Sequence, residues 1–69
     1  MPNTTELKTM AILEILEKYP QSQSVFRKFG LQSYARTETA KYENLEASAI
    51  VHSIDLPSLL RSLNEVIGG

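Results

Sequence analysis

Apolar residues along the chain recur at helical spacing. In MAILEILEKYP, Ile12, Leu13, Leu16 and Tyr19 fall at i, i+1, i+4 and i+7, which places them on one face of a helix. Ile15 widens that face. Thr9 is expected to cap the helix through its hydroxyl, and Glu14 and Lys18 to pair across one turn. Pro20 stops it near Lys18, because the residue before a proline avoids the α region. Pro20 also suits the first turn of a second helix, where its missing N–H costs nothing. That helix carries Val25, Phe26 and Phe29 on one face and Arg27 and Lys28 in its last turn, where cations complement the helix dipole. Gly30 is the expected left-handed residue after it, with Leu31 making the apolar contact of a Schellman ending.

Asn44 reads as the cap of a third helix, LEASAIVHS. Leu45, Ser48, Ala49 and His52 share one of its faces, whose small residues suit a close helix contact, and Ala47, Ile50, Val51 and Ile54 lie nearer another. Asp55 is the strongest cap in the chain, with Pro57 tolerated in the first turn that follows. LPSLLRSLNEVI then places Leu56, Leu59, Leu60, Leu63, Val66 and Ile67 at the spacing of an amphipathic helix, ended by Gly68 and Gly69. The pattern predicts an all-α fold, an orthogonal array of four main helices with one longer connection between the second and third. A single domain is expected over residues 1–69. Residues 1–8, with poor helix formers at Pro2, Asn3, Thr4 and Thr5, read as a lead-in with Leu7 as an anchor, and residues 68–69 as a tail. The expected core is Ile12, Leu13, Leu16, Val25, Phe26, Phe29, Leu45, Ala49, Leu59, Leu60, Leu63 and Ile67. The connection over residues 32–43 contains no glycine or proline. It is expected to pack little and to hold one short helical turn, capped by Thr37 or Thr39.

Composition narrows the chemistry. A chain of 69 residues buries only about 60% of the surface its unfolded form exposes, so the core is small. The absence of cysteine excludes disulfides, thiolate metal sites and thiol redox chemistry. A single histidine, His52, excludes a histidine-rich metal site. Seven basic residues against eight acidic ones lack the excess of a nucleic-acid-binding domain. No apolar run nears the ~18 residues of a membrane-spanning helix, and the start lacks a basic region leading into an apolar stretch. A cytoplasmic location is therefore expected.

Candidate reactive groups are sparse. His52 lacks an evident orienting carboxylate, as a general base requires, and reads as a partly buried histidine against helix-terminal carbonyls. The carboxylates are scattered. Ser33, Thr37 and Thr39 have no adjacent base to activate them, and no glycine-rich phosphate loop occurs. Arg27, Lys28, Arg36 and Lys41 gather around the long connection with Tyr34 and Tyr42 interleaved. Such a pattern can hold a phosphate or stack on a base, though Glu38 and Glu43 offset it. No catalytic residue, cofactor site or metal site is expected. The expected interaction surface comprises Arg27, Lys28, Leu31, Ser33, Tyr34, Arg36, Lys41, Tyr42 and Ile50; Ile50 or Val51 with Tyr34 and Tyr42 either forms an apolar patch there or completes the core.

The stretches ILEILEKYP, VFRKFGL and NLEASAIVHSIDLPSLLRSLN resemble a small bacterial and archaeal helical family of unknown function. That family is related to the redox-disulfide domain associated with hybrid-cluster proteins. The resemblance covers nearly the whole chain. Its motifs are an opening helix ending in Tyr-Pro, a helix ending in Phe-Gly, a Leu-Glu-x-Ala-Ala helix, and a Gly-Ile-Asp-Leu turn before Leu-Leu-x-x-Leu-Asn. Ser53 stands where that turn often has glycine. The disulfide branch carries Cys-x-x-Cys where this chain reads Ser33-Tyr34-Ala35-Arg36, so no redox role transfers and the cysteine-free branch is the nearer. Such domains occur alone or fused to sensory and regulatory modules, which implies an accessory role. The expected function is a non-enzymatic protein-interaction or regulatory module, its partner an unidentified protein or a second copy of the chain. The alternative is a small-anion or nucleotide-binding domain using the basic corner after the second helix.

Overall fold

The computed structural model describes residues 4–68. Over them the chain is all-α, with α1 (Thr4–Thr9), α2 (Ile12–Lys18), α3 (Gln23–Lys28), α4 (Leu45–Val51) and α5 (Leu56–Gly68). A 3-10 turn over Pro20–Ser22 runs directly into α3, with Pro20 at its first position. Two more 3-10 turns, Tyr34–Arg36 and Glu38–Lys41, lie between α3 and α4.

The opening of the chain departs from the pattern reading. Of the expected lead-in, Thr4 onward forms α1, and of the expected tail, Gly68 belongs to α5; residues 1–3 and Gly69 lie outside the described residues. Thr9 ends α1 rather than capping the next helix, and its hydroxyl donates to the Glu6 carbonyl at 2.8 Å. The break that follows is held by a long-range contact. The Leu45 amide donates to the Met10 carbonyl at 2.8 Å, and Ala11 pairs with Asn44 in an isolated antiparallel bridge. Ala11 becomes the N-cap of α2, and its amide donates to the Glu14 carboxylate at 3.3 Å. This is half of a capping box, since alanine has no side chain to reciprocate. With Glu14 so engaged, Lys18 pairs instead with Glu6 across 3.4 Å. Both side chains of that pair stand about half exposed, where an ion pair contributes little.

Two helices end in the same way with different residues. After α3, Gly30 has φ +78°, its amide donates to the Arg27 carbonyl at 3.1 Å, and the Leu31 amide donates to the Phe26 carbonyl at 2.8 Å. After α4, Ser53 has φ +56°, its amide donates to Ile50 at 3.2 Å, and the Ile54 amide donates to Ala49 at 2.8 Å. Both are Schellman endings. The left-handed conformation is open to glycine and carries a penalty of about 1–2 kcal/mol for a residue with a Cβ. Ser53→Gly relieves that strain but enlarges the entropy of the unfolded chain. The expected net gain is about 0.5–1 kcal/mol, a rise of several degrees in the thermal midpoint at this size. An unchanged or lowered midpoint in a calorimetric melt would count against the strain at Ser53.

The other two caps follow their sequence signals. Asn44 accepts from the Ala47 amide at 2.8 Å. Asp55 accepts from the Ser58 amide at 3.2 Å and hydroxyl at 2.7 Å, and these bonds, the hydroxyl's first, hold its carboxyl below the usual range.

The core forms around fully buried Leu7, Ile12, Ile15, Phe26, Leu31, Leu45, Leu59 and Leu63. Leu13, Leu16, Phe29, Leu60 and Ile67, expected inside, are half-buried against it. The stripe on α5 narrows to Leu59 and Leu63, one turn apart. The long connection packs far more than expected. Its two 3-10 turns bury Ala35 and Ala40, and the second lies against α2. Alanine side chains permit that close approach. Leu31, expected on the surface, is fully buried. The Schellman ending folds the chain back beneath α3, which carries the residue after Gly30 into the core.

Candidate functional site

The residues expected to form one surface separate into three environments. Arg27 and Lys28 at the end of α3, Ser33, Arg36, Lys41 and Tyr42 are exposed, as is Ile50 on α4, whereas Tyr34 is half-buried and Leu31 lies in the core.

Tyr34 is the hub of a small polar cluster. The 3-10 turn over Tyr34–Arg36 places its ring against α4. Its hydroxyl donates to the Glu43 carboxylate and accepts from Ser48 Oγ at 3.3 Å. Its ring meets that of His52 edge-on, with centroids 4.5 Å apart and planes at 68°. Burial, and next the bond to Glu43, raise the phenol above its ordinary pKa, so it stays a neutral donor. Ser48 is fully buried and directs its proton at the phenol oxygen, leaving no base on its own hydroxyl. The cluster thus ties the connection to α4 and activates no nucleophile. His52 is exposed rather than partly buried. Its ring packs on Tyr34 and enters no hydrogen bond among the described residues.

A cleft of about 200 Å³ opens between α2, α3 and the start of the connection. Leu13, Leu16, Phe26 and Ala35 form its apolar lining, and Gln23, Gln32 and Arg36 its polar part. Of the four basic residues noted in the sequence, Arg36 alone is part of this lining. The pattern reading missed the cleft by treating Leu13 and Leu16 as core. The signal for it was the number of large apolar residues on α2. Ile12, Leu13, Ile15 and Leu16 cover more of a seven-residue helix than one packing face can bury.

A second feature is apolar and outward. Tyr42 is 79% exposed, Ile50 75% and Val51 61%. Ile50 and Val51 are adjacent on α4, while Leu45, Ser48 and Ala49 face inward. Tyr42 stands just before the helix. Among the described residues no group of three or more histidines and carboxylates comes together to hold a metal ion. No helix described is long and apolar enough to cross a membrane.

A family model described as a domain of unknown function (DUF1858) matches residues 8–60, well over half of the chain. No curated protein and no solved structure matches.

Proposed function

We propose that this chain, which belongs to the DUF1858 family of domains of unknown function, acts by binding another protein and not by catalysis. The observation that carries this reading is the exposure of Ile50, Val51 and Tyr42. Isoleucine and valine are mediocre helix formers, so neither has a local reason to stand on the solvent face of α4. Ile50 and Val51 stand next to each other at the end of α4, and exposed apolar side chains in one place favour a contact. The opposite face of the same short helix is already committed to the core through Leu45, Ser48 and Ala49.

The partner is another protein or a second copy of this chain, and one variant serves both. Ile50→Glu alters an exposed side chain, so its melting temperature should stay within about a degree or two of the parent, as for surface changes generally. It should abolish self-association in sedimentation velocity, or crosslinking to a purified partner recovered from native cells. A parent protein that stays monomeric and crosslinks to nothing, or an Ile50→Glu variant that binds as before, defeats the reading.

The alternative of an anionic ligand at the basic corner has one specific observation in its favour, the presence of Arg36 at the cleft. Arg27, Lys28 and Lys41 do not line that cleft.

A further inference from the structure

We propose that the cleft between α2, α3 and residues 32–36 binds a small amphipathic carboxylate, with its apolar body against Phe26, Ala35, Leu13 and Leu16 and its carboxylate on Arg36. The space suits a small ligand. An apolar cavity of about 150 Å³ accepts benzene, so about 200 Å³ has room for one aromatic ring or a short branched chain. The apolar lining comes from four residues on three separate segments, with Phe26 and Ala35 buried and Leu13 and Leu16 half-buried. A ligand that covers Leu13 and Leu16 removes apolar surface that the fold leaves in contact with water.

The charge sets the head group. Arg36 is exposed, and among the described residues the ion pair present is Lys18 with Glu6, so no described carboxylate occupies the Arg36 guanidinium. A guanidinium presents a planar fork of donors that matches a carboxylate with two parallel hydrogen bonds. The amides of Gln23 and Gln32, which also line the cleft, add neutral donors and acceptors beside it. A nucleotide fits poorly: one cation without a glycine-rich loop is a weak phosphate cradle. The cleft lining shares no residue with the Tyr42, Ile50 and Val51 surface, so this proposal and the protein-binding reading stand or fall separately.

The test is an amide chemical-shift titration of the whole labelled chain with phenylacetate, phenylacetamide and inorganic phosphate, on the parent and on Arg36→Gln. Phenylacetate is expected to shift the amides of Phe26, Gln32 and Ala35 saturably. Arg36→Gln is expected to weaken it about tenfold or more, the factor that corresponds to losing a charge-assisted hydrogen bond. Phenylacetamide should bind the parent about as weakly as phenylacetate binds the variant, a comparison that needs no mutation in the phenylacetamide arm. The proposal is overturned if phenylacetate produces no saturable shift at these residues up to about 10 mM, or if Arg36→Gln binds it as well as the parent does. Phosphate binding at Arg36 as tightly as phenylacetate also overturns it, because that would make the site one for any anion.

Discussion

Phe26→Ala is expected to destabilise the chain by about 3–5 kcal/mol, the range for truncating a buried aromatic. Phe26 heads the largest fully buried side chains, with 1% of its surface exposed, and its loss leaves a cavity between α3 and the cleft that it floors. A natural domain has about 0.05–0.15 kcal/mol of stability per residue, so a chain of 69 residues holds roughly 3–10 kcal/mol in all. The variant should therefore lose about a third or more of that stability, and a parent at the low end of the range would be unfolded at room temperature. Urea unfolding followed by circular dichroism reads this directly. A midpoint close to the parent's would show that α3 does not anchor the core.

The second large effect is expected at Leu7→Ala, at about 2–5 kcal/mol. Its apolar side chain marks Leu7 as an anchor in the sequence, but poor helix formers precede it and no cap signal introduces a helix there. Yet Leu7 is fully buried, and α1 packs against both α4 and α5. The backbone bond from Leu45 to Met10 and the bridge from Ala11 to Asn44 fasten the end of α1 to the start of α4. Lys8→Ala at the next position serves as control, since its partly exposed side chain should change the urea midpoint little. If Leu7→Ala behaves like Lys8→Ala, α1 is not docked on the rest of the chain.

Punctuation in the sequence was the most legible part of this fold. Pro20, Gly30, Asn44 and Asp55 each act within a turn or so of themselves, through a fixed φ, a tolerated positive φ or a short side chain that reaches a nearby amide. Their effects can be read without knowing what lies across the molecule, and the helix boundaries they imply agree with the ends of α2 and α3 and the starts of α4 and α5. The glycine expected by family resemblance at the position of Ser53 corresponds to a left-handed residue there. The all-α class follows from the same local signals together with the 3.6-residue period.

The candidate site was less legible. Four cations along the connection looked alike in sequence, but one of them lines a cleft. Tyr42 and Ile50 are exposed, while Leu31, three positions before Tyr34, lies in the core. Whether an apolar residue is buried depends on how much partner surface faces it, and that is a sum over the whole packing arrangement. Helical period identifies a stripe but not its usable width, so it could not separate Ile12 and Ile15 from Leu13 and Leu16 on α2, or Leu59 and Leu63 from Leu60 on α5.

Local chemistry in the chain thus established where most helices start and stop, which residues take left-handed or capping positions, and that cysteine chemistry is closed to it. Long-range packing established the rest: that α1 exists, that Ala35 and Ala40 bring the connection onto the core, that Leu31 is buried, and that a cleft opens beside Arg36. The division has one physical cause. Caps and turns are satisfied by bonds spanning three to five residues, whereas burial and cavities arise from surfaces that meet only after the chain has folded back on itself.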